Sequence, residues 1–188
     1  MLSDRDLKQV IKDKEVLFRP PLRPDQIGPA SIDLTLGRDF KVFKTTQVSL
    51  IDPKQGLPED YMESFYMKDG KPFVLHPGDF VLASTKEYIT VSDSYVVRVE
   101  GKSTLARMGI LVHTAGFVDP GFEGAITLEI SNQSNVAVAL YAGMYICQVA
   151  VHKLSSPAEI PYNKRKKSIY ARAKSTMIAN PKNLFRKK

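Results

Sequence analysis

Cysteine is almost absent from this 188-residue sequence, which contains only Cys147. A single cysteine excludes an intrachain disulfide and any zinc site built from several cysteines. Long apolar runs are also missing, because no stretch approaches the roughly 18 residues that a membrane-spanning helix needs. The first residues, MLSDRDLKQVIKDKE, carry too many charges for a signal peptide. These absences predict a cytoplasmic protein without a membrane partner.

Acidic residues are absent beyond Glu159, although the whole chain carries 27 Lys and Arg against 20 Asp and Glu. Ten of the bases lie in residues 163–188, so the rest of the chain is mildly acidic. We therefore predict a folded domain over residues 1–162 and a basic tail over residues 163–188. Composition alone leaves two uses for the tail open, namely binding of RNA or DNA and simple solvation of the chain end.

Short stretches of alternating apolar residues predict a mainly β protein. Turn sequences rich in glycine or proline recur between them, which is typical of a sandwich or barrel rather than of βαβ units. Residues 47–70 show weak periodicity and are predicted to form an irregular insertion. The predicted strands are 31–36, 40–43, 73–75, 80–91, 95–99, 125–131, 136–140 and 145–152.

Two short helices are predicted beside these strands. Ser3 followed by Asp6 resembles a capping box before a short apolar stripe, which predicts an N-terminal helix. A second helix is predicted near residues 103–108, where Ser103 or Thr104 would cap its start and Gly109 would end it. This second helix would follow directly on the strand at 95–99, so it interrupts the β pattern.

The segment Gly101-Lys102-Ser103 resembles the end of a phosphate-binding P-loop, although the motif as a whole fails. Its first glycine would fall at Val96, and the flanking βαβ pattern is missing. Backbone N–H groups at a helix start nevertheless attract phosphate, and Lys102, Ser103 and Arg107 would add charge-assisted donors. The alternative is a helix cap with two solvated bases, and the local sequence favours neither.

Two carboxylates flank a glycine turn in HTAGFVDPGFEGAITLEIS, residues 113–131. Asp119 directly precedes Pro-Gly and is therefore often only a turn residue. Glu129 lies in a predicted strand whose apolar residues face the other way, so it is either solvated on an outer face or placed in a cleft. Burial in a cleft raises a carboxyl pKa and suits a general acid or base. The local pattern leaves both interpretations open.

Metal-binding patterns are absent from the sequence. His76, His113 and His152 lack the spacing of a metal site. No H-x-E is followed by C-x-x-C, which excludes a zinc-dependent nucleobase deaminase. Cys147 lies in an apolar strand and is predicted to belong to the core rather than to act as a nucleophile. No metal site formed by protein side chains is therefore predicted.

Five ordered motifs are distributed over most of the chain. They are PASIDL at 29–34, LHPGDFVL at 75–82, EGKSTLAR at 100–107, TAGFVDPGF at 114–122 and ITLE at 126–129. In this order they resemble the dCTP deaminase family, which is grouped with the trimeric dUTPases. The resemblance implies a dUTPase-like distorted β-barrel that forms a homotrimer, with active sites at subunit interfaces.

The resemblance also implies roles for individual residues. Glu129 would be the acid and base that activates a water to attack C4 of cytosine, without zinc. Ser103 and Arg107 would support phosphate and oxyanion, and Asp119 would contact the sugar and serve as a second catalytic candidate. Mg²⁺ would be bound through the substrate phosphates, and dTTP is a candidate inhibitor. The implied substrate-binding residues are Lys102, Ser103, Thr104, Leu105, Ala106, Arg107, Ala115, Asp119, Thr127, Leu128, Glu129, Gln148 and Tyr162.

The product of the implied reaction is either dUTP or dUMP. The aspartate that matches Asp119 activates, in dUTPases, a water that attacks the α-phosphate. Gly116-Phe117 resembles the pattern of dUTPases and of bifunctional deaminases, which release dUMP and diphosphate. We therefore predict a deaminase that converts dCTP to dUTP, or onward to dUMP, with release of ammonia, in the supply of pyrimidine deoxynucleotides.

Two alternatives to a deaminase stay open. A loop one residue shorter than is usual before Thr114 is nearer to dUTPases, which favours a dUTP diphosphatase. Ile169 and Ala173 stand where the family has a phosphate-binding lysine and a nucleotide-contacting glutamine. These two replacements suggest a non-enzymatic regulator that binds nucleotide or nucleic acid, although nucleic acid is the less favoured partner. In the deaminase interpretation the basic tail is a candidate lid over the nucleotide.

Overall fold

The computed structural model describes residues 1–44, 50–58, 60–113, 116–166, 168–181 and 184. Within these ranges the chain is mainly β, as the alternating apolar pattern predicts. No helix of the described ranges is long and apolar enough to cross a membrane.

The described residues form eleven strands. They are β1 (Val16–Arg19), β2 (Ile32–Phe43), β3 (Met62–Tyr66), β4 (Phe73–Leu75), β5 (Phe80–Val91), β6 (Tyr95–Gly101), β7 (Ile110–His113), β8 (Phe117–Val118), β9 (Glu123–Asn132), β10 (Val138–Leu140) and β11 (Tyr145–Lys153). One sheet follows the order β7-β9-β5-β2-β11-β6-β8, with β1 paired to β5 and β3 paired to β2. β4 and β10 form a separate antiparallel pair.

The large sheet curls back on itself. β7 lies at one end of the strand order, and β6 lies next to the other end. Gly101 of β6 nevertheless faces Val112 of β7, since a Cβ built on the glycine would lie 3.8 Å from the Val112 Cβ. The sheet is therefore an incomplete barrel, which confirms the predicted distorted β-barrel.

The core fills the inside of this barrel. Ile126, Leu128 and Ile130 of β9 are buried, because successive side chains of a strand point to opposite faces. Cys147 of β11 is also fully buried, and burial raises the pKa of its thiol above the ordinary value. This full burial among the core side chains confirms the prediction that Cys147 belongs to the core.

Both predicted helices are present. α1 spans Asp4–Lys12 and buries Leu7 and Val10 against the barrel. Ser3 occupies the N-cap position of α1, but its side chain makes no capping hydrogen bond. The predicted capping box is therefore wrong, and the helix start is satisfied by other groups, such as the carbonyl of Pro29, which accepts from the Asp4 N–H at 2.8 Å.

α2 spans Ser103–Arg107 and follows directly on β6. The predicted cap is wrong, because Lys102 holds the N-cap position and Ser103 is already helical. Gly109 ends the helix as predicted, with a φ of +79° that favours glycine. A Cβ at this position would also lie only 2.6 Å from the Cβ of Ser134.

The predicted irregular insertion at 47–70 contains a strand, so that prediction is wrong in part. β3 pairs with β2 along its whole length, with Phe65 opposite Phe40. Most of β3 is exposed and lacks the alternation of buried and exposed residues that reveals a strand in sequence. Long-range pairing with β2, and not a local pattern, forms this strand.

The described part of the C-terminal tail lies on the barrel. The Arg172 N–H donates to the Glu123 carbonyl at 2.5 Å, and the Ala125 N–H donates to the Ala173 carbonyl at 2.8 Å. These bonds place the tail beside the first residues of β9, a stretch that β7 does not reach. Further along, the Thr176 hydroxyl donates to the Asp39 carbonyl at 2.6 Å.

Candidate active site

A cavity of about 550 Å³ lies between β9, the segment before β3 and the tail. Many of its walls are apolar or aromatic, including Phe43, Leu57, Phe80 and Phe122. Such a site removes water from a ligand and leaves orientation to a few polar groups. The predicted site residues that line it are Asp119, Thr127, Leu128, Glu129 and Tyr162.

Glu129 projects from the middle of β9, opposite Leu82 of β5 and His113 of β7. Its side chain is only partly buried, unlike that of the neighbouring Ile130, and it lines the cavity. Burial raises the pKa of the Glu129 carboxyl, against smaller opposing effects of a backbone hydrogen bond and of His113. The strand therefore places this acid in a cleft, and not on a solvated outer face. A carboxyl in this state can both accept and return a proton.

His113 is a cavity residue that the spacing of histidines did not reveal. Its Nε2 lies 2.8 Å from the Ser131 hydroxyl, and its ring contacts Phe80 with centroids 6.0 Å apart. Ser131 lies on the same face of β9 as Glu129, two residues further on. Strand pairing identifies His113, because β7 pairs with β9 and places His113 opposite Glu129. No local sequence motif marks this residue.

Asp119 lies in the turn that leads into β9 and is half-buried. Its carboxylate lines the cavity, and Nη1 of Arg165 lies 3.6 Å from its Oδ2. The arginine belongs to the basic tail, so the tail already reaches one predicted nucleotide contact.

The tail reaches two further predicted contacts. The Met177 N–H donates to the Thr127 hydroxyl at 3.1 Å, and the Tyr170 N–H donates to the Tyr162 hydroxyl at 3.1 Å. Tyr170, Ala173 and Met177 themselves line the cavity. The position of the tail fits the predicted lid, and its response to nucleotide stays a prediction.

The segment predicted to bind phosphate lies elsewhere in the chain. Lys102 forms an ion pair of 2.6 Å with Asp33, and its ammonium lies 5.4 Å from the centre of the Tyr145 ring. The side chain of Leu105 is buried, so this residue can meet a ligand only through its backbone. The exposed members of the segment are Ser103, Thr104, Ala106 and Arg107.

Gln148 of β11 lies with this second group. Its side chain accepts a hydrogen bond of 3.3 Å from the Ser31 hydroxyl and donates one of 3.5 Å to the Gly101 carbonyl. Asp33 was not predicted, although a carboxylate between the buried Ile32 and Leu34 is an unusual residue for a barrel strand.

The predicted site residues therefore fall into two groups within one chain. Residues 102–107 and Gln148 are described, and none of them lines the cavity that holds Glu129. Ala115, predicted to lend backbone groups to the base, lies outside the described residues, as does Thr114 in the shortened loop. The described ranges contain no cluster of three His, Cys, Asp or Glu side chains that could hold a metal ion.

Comparison with known proteins places these features in a family. Residues 1–154 match the family model described as dCTP deaminase-like. The chain is 51% identical over 172 residues to a Dictyoglomus thermophilum protein named dCTP deaminase, dUMP-forming, covering 90% of this chain and 89% of the relative. It is 46% identical over 176 residues to a Thermomicrobium roseum protein named dCTP deaminase, covering 91% and 88% of the two chains.

A solved structure shares the fold. The 2'-deoxycytidine 5'-triphosphate deaminase of Agrobacterium tumefaciens superimposes with a TM-score of 0.62 at 20% identity. The match covers 82% of this chain but only 48% of that one, so the present chain spans about half the length of the solved protein. At this identity the likeness speaks for the barrel alone. The family model and the close relatives carry the assignment, and the chain belongs to the dCTP deaminase-like family.

Proposed function

We propose that this chain is a dCTP deaminase that carries the reaction on to dUMP, with release of ammonia and diphosphate. The name of the Dictyoglomus relative, dUMP-forming, supports this product. The observation that carries the proposal is the presence of Glu129 and Asp119 in one cavity. Two acids in one cavity provide a base for each of two hydrolytic steps.

Deamination replaces the amino group on cytosine C4 by oxygen. Glu129 removes a proton from water as the water oxygen bonds to C4, and it delivers that proton to N3. Glu129 then moves a proton from the new C4 hydroxyl to the amino group, so that the C4–N bond breaks and ammonia leaves. The raised pKa of Glu129 suits both transfers, because a group that titrates nearer to neutrality accepts and returns a proton readily.

Release of diphosphate requires a second water, which attacks the α-phosphorus of dUTP. Asp119 would take the proton of this water while the bond between the α-phosphorus and the bridging oxygen breaks. The half-buried carboxylate of Asp119 is reached by Arg165 at 3.6 Å. Entry of the deoxyribose would therefore displace this guanidinium, or would leave it free to contact the phosphates.

We also propose a homotrimer whose sites lie between subunits. In one chain the cavity holds both acids but none of the residues 102–107 that are predicted to bind phosphate. The cavity of a single chain is therefore an incomplete site. A neighbouring subunit would bring Lys102, Ser103 and Arg107, with Gln148 beside them. The same site is where the candidate inhibitor dTTP would compete. We expect the enzyme in the cytoplasm, where its nucleotide substrate is held.

Magnesium fits this site only as a partner of the substrate. The described residues offer no cluster of three acidic or imidazole ligands, whereas the 102–107 segment offers cations that bind phosphate oxygens directly. Mg²⁺ bound to the triphosphate would neutralise part of its charge. Lys102 and Arg107 would then hold the phosphates so that C4 lies against Glu129.

Product analysis tests the proposal. The purified protein is incubated with dCTP and Mg²⁺, and ammonia, dUTP, dUMP and diphosphate are measured over time. Equal amounts of ammonia and dUMP, with little free dUTP, are expected. Ammonia with accumulated dUTP would restrict the activity to deamination. Diphosphate release from added dUTP, with dCTP untouched, would contradict the deaminase and favour a dUTPase.

A further inference from the structure

A second pocket, of about 600 Å³, shares the tail with the catalytic cavity but none of its described lining residues. β2, β5, the turn before β11 and the tail each contribute to its wall. Its described lining includes Arg38, Asp39, Ser84, Lys86, Lys174 and Ser175.

The wall of this pocket is positively charged. Arg38, Lys86 and Lys174 line it, against a single carboxylate, that of Asp39. Arg38 is paired with Asp69, and Asp39 accepts a hydrogen bond from the backbone of the tail. No carboxylate of the described ranges lies within ion-pair distance of either lysine. Two ammonium groups thus line the pocket without a direct ion-pair partner, and the cations of the wall outnumber its one carboxylate.

A hydroxyl at the pocket wall also makes no hydrogen bond to a described protein group. Ser84 is only 5% exposed, and no group in the described part of the chain forms a hydrogen bond with its side chain. Gly37 lies against it, where a Cβ would stand 3.0 Å from the Ser84 hydroxyl oxygen and 2.8 Å from its carbonyl oxygen. Of the described residues, only Tyr61 has a fully buried side-chain oxygen without a partner, so the Ser84 hydroxyl is open to the pocket. It can therefore donate to a ligand that enters the pocket beside the two lysines.

We infer that this pocket binds a small phosphoryl anion, such as free diphosphate or the phosphate chain of a nucleotide. Phosphoryl oxygens accept hydrogen bonds from ammonium and hydroxyl groups alike, and such charge-assisted bonds are the strong ones. A pocket of this volume holds one such anion in contact with Lys86, Lys174 and the Ser84 hydroxyl. The inference rests on this pocket and is independent of the reaction in the catalytic cavity.

The anion would also fix the tail. Lys174 and Ser175 line the second pocket, whereas Ala173 and Met177 line the catalytic cavity. Thr176 between them is held by two hydrogen bonds to Asp39. An anion that binds Lys174 therefore holds the stretch of chain that covers Thr127.

Calorimetric titration of the full-length protein with inorganic diphosphate tests the inference. Lys86→Gln removes an exposed cation and is expected to weaken one class of diphosphate sites about tenfold. Ser84→Ala keeps every charge and is expected to weaken the same class about threefold. Lys41→Gln is the matched control, because it removes a β2 cation that lines neither pocket and is expected to change nothing.

Lys102→Gln distinguishes anion binding in this pocket from anion binding by the residues proposed to hold the substrate phosphates. The inference predicts that Lys102→Gln leaves the class of sites weakened by Lys86→Gln intact. If Lys86→Gln binds diphosphate like the Lys41→Gln control, or if Lys102→Gln abolishes all binding, the inference is wrong. A non-substrate nucleotide such as ATP identifies the source of the anion: binding tenfold tighter than diphosphate indicates a nucleotide, and equal binding indicates the free anion.

Limited proteolysis tests the connection to the tail. Trypsin cleavage after Lys174 is expected to slow severalfold when diphosphate saturates the wild-type protein. The same concentration is expected to give no protection in Lys86→Gln. Equal protection in both proteins would overturn the assignment of the anion to this pocket.

Discussion

Glu129 and Lys102 are both charged residues of the predicted site, and the chain holds them in opposite ways. Glu129 stands within a barrel strand, registered between Leu82 and His113, where apolar walls remove water and raise its pKa. Lys102 precedes a five-residue helix, and its ammonium is held by Asp33 away from the cavity. In the proposed mechanism the acid is therefore preorganised inside one chain, whereas the residues proposed to bind phosphate do not line the same cavity.

Glu129→Gln has the largest expected effect, because it tests the acid that the barrel strand places in the cavity. The amide keeps the shape of the side chain but cannot accept a proton from water. Ammonia release from dCTP is expected to fall on the order of 10²–10⁴-fold, measured by coupled ammonia assay. Glu63→Gln, the same change on the exposed face of β3, is the control and is expected to retain full activity. Full activity of Glu129→Gln would remove Glu129 from the mechanism.

Asp119→Asn distinguishes the proposed role of Asp119 in diphosphate release from that of Glu129 in deamination. Ammonia release is expected to persist within about tenfold of wild type, while dUMP formation falls on the order of 10²-fold, so dUTP accumulates. Chromatography of the nucleotides measures the shift. Asp93→Asn, at a residue outside the cavity, is the matched control. Equal loss of ammonia and dUMP would show that Asp119 acts in binding and not as a second base.

Lys102→Gln tests whether Lys102 binds the phosphates of the substrate. Loss of one charge-assisted contact is expected to lower kcat/KM for dCTP by roughly ten- to a hundredfold. Deoxycytidine has no phosphates, so any residual turnover of deoxycytidine is expected to be unchanged. An equal loss on both substrates would mean that Lys102 supports the fold and not the phosphates.

The pH dependence of stability gives the smallest expected effect. Burial raises the folded-state pKa of Glu129 above its unfolded value, so its contribution to stability is present at low pH and is lost as pH rises through the folded pKa. Glu129→Gln is therefore expected to melt at a higher temperature than wild type near neutrality. The gap should close as pH falls below the ordinary carboxyl range. Scanning calorimetry measures it, and a gap that is constant with pH would contradict the burial of a charged Glu129.

Much of the fold could be predicted from sequence, because period-2 alternation is a local signal. β5, β9 and β11 each contain an alternating stretch and were predicted within a few residues. β1, β3, β7 and β8 were missed, since short or exposed strands carry too little alternation and depend on pairing with other strands. The cap of α2 was misplaced by one residue. A serine or threonine can be the first helical residue as readily as the cap.

The site was predicted less completely than the fold. The presence of Glu129 and Asp119 in one cavity agrees with the roles that the family motifs imply. His113, Asp33 and the contacts of the tail were missed, because each depends on register or on packing between segments far apart in sequence. Motif order alone does not show that Lys102 lies apart from the cavity within one chain, although the family resemblance already implies active sites at subunit interfaces.

Subunit complementation tests most directly whether the two halves meet between chains. Glu129→Gln chains are mixed in equal amounts with chains that carry both Lys102→Gln and Arg107→Gln, unfolded together and refolded. If one subunit supplies the acid and its neighbour the phosphate-binding residues, about a quarter of all sites after random mixing recover both wild-type groups. Ammonia release from dCTP should then rise to about that fraction of the wild-type rate. Activity no higher than that of the separate variants would contradict a site shared between subunits.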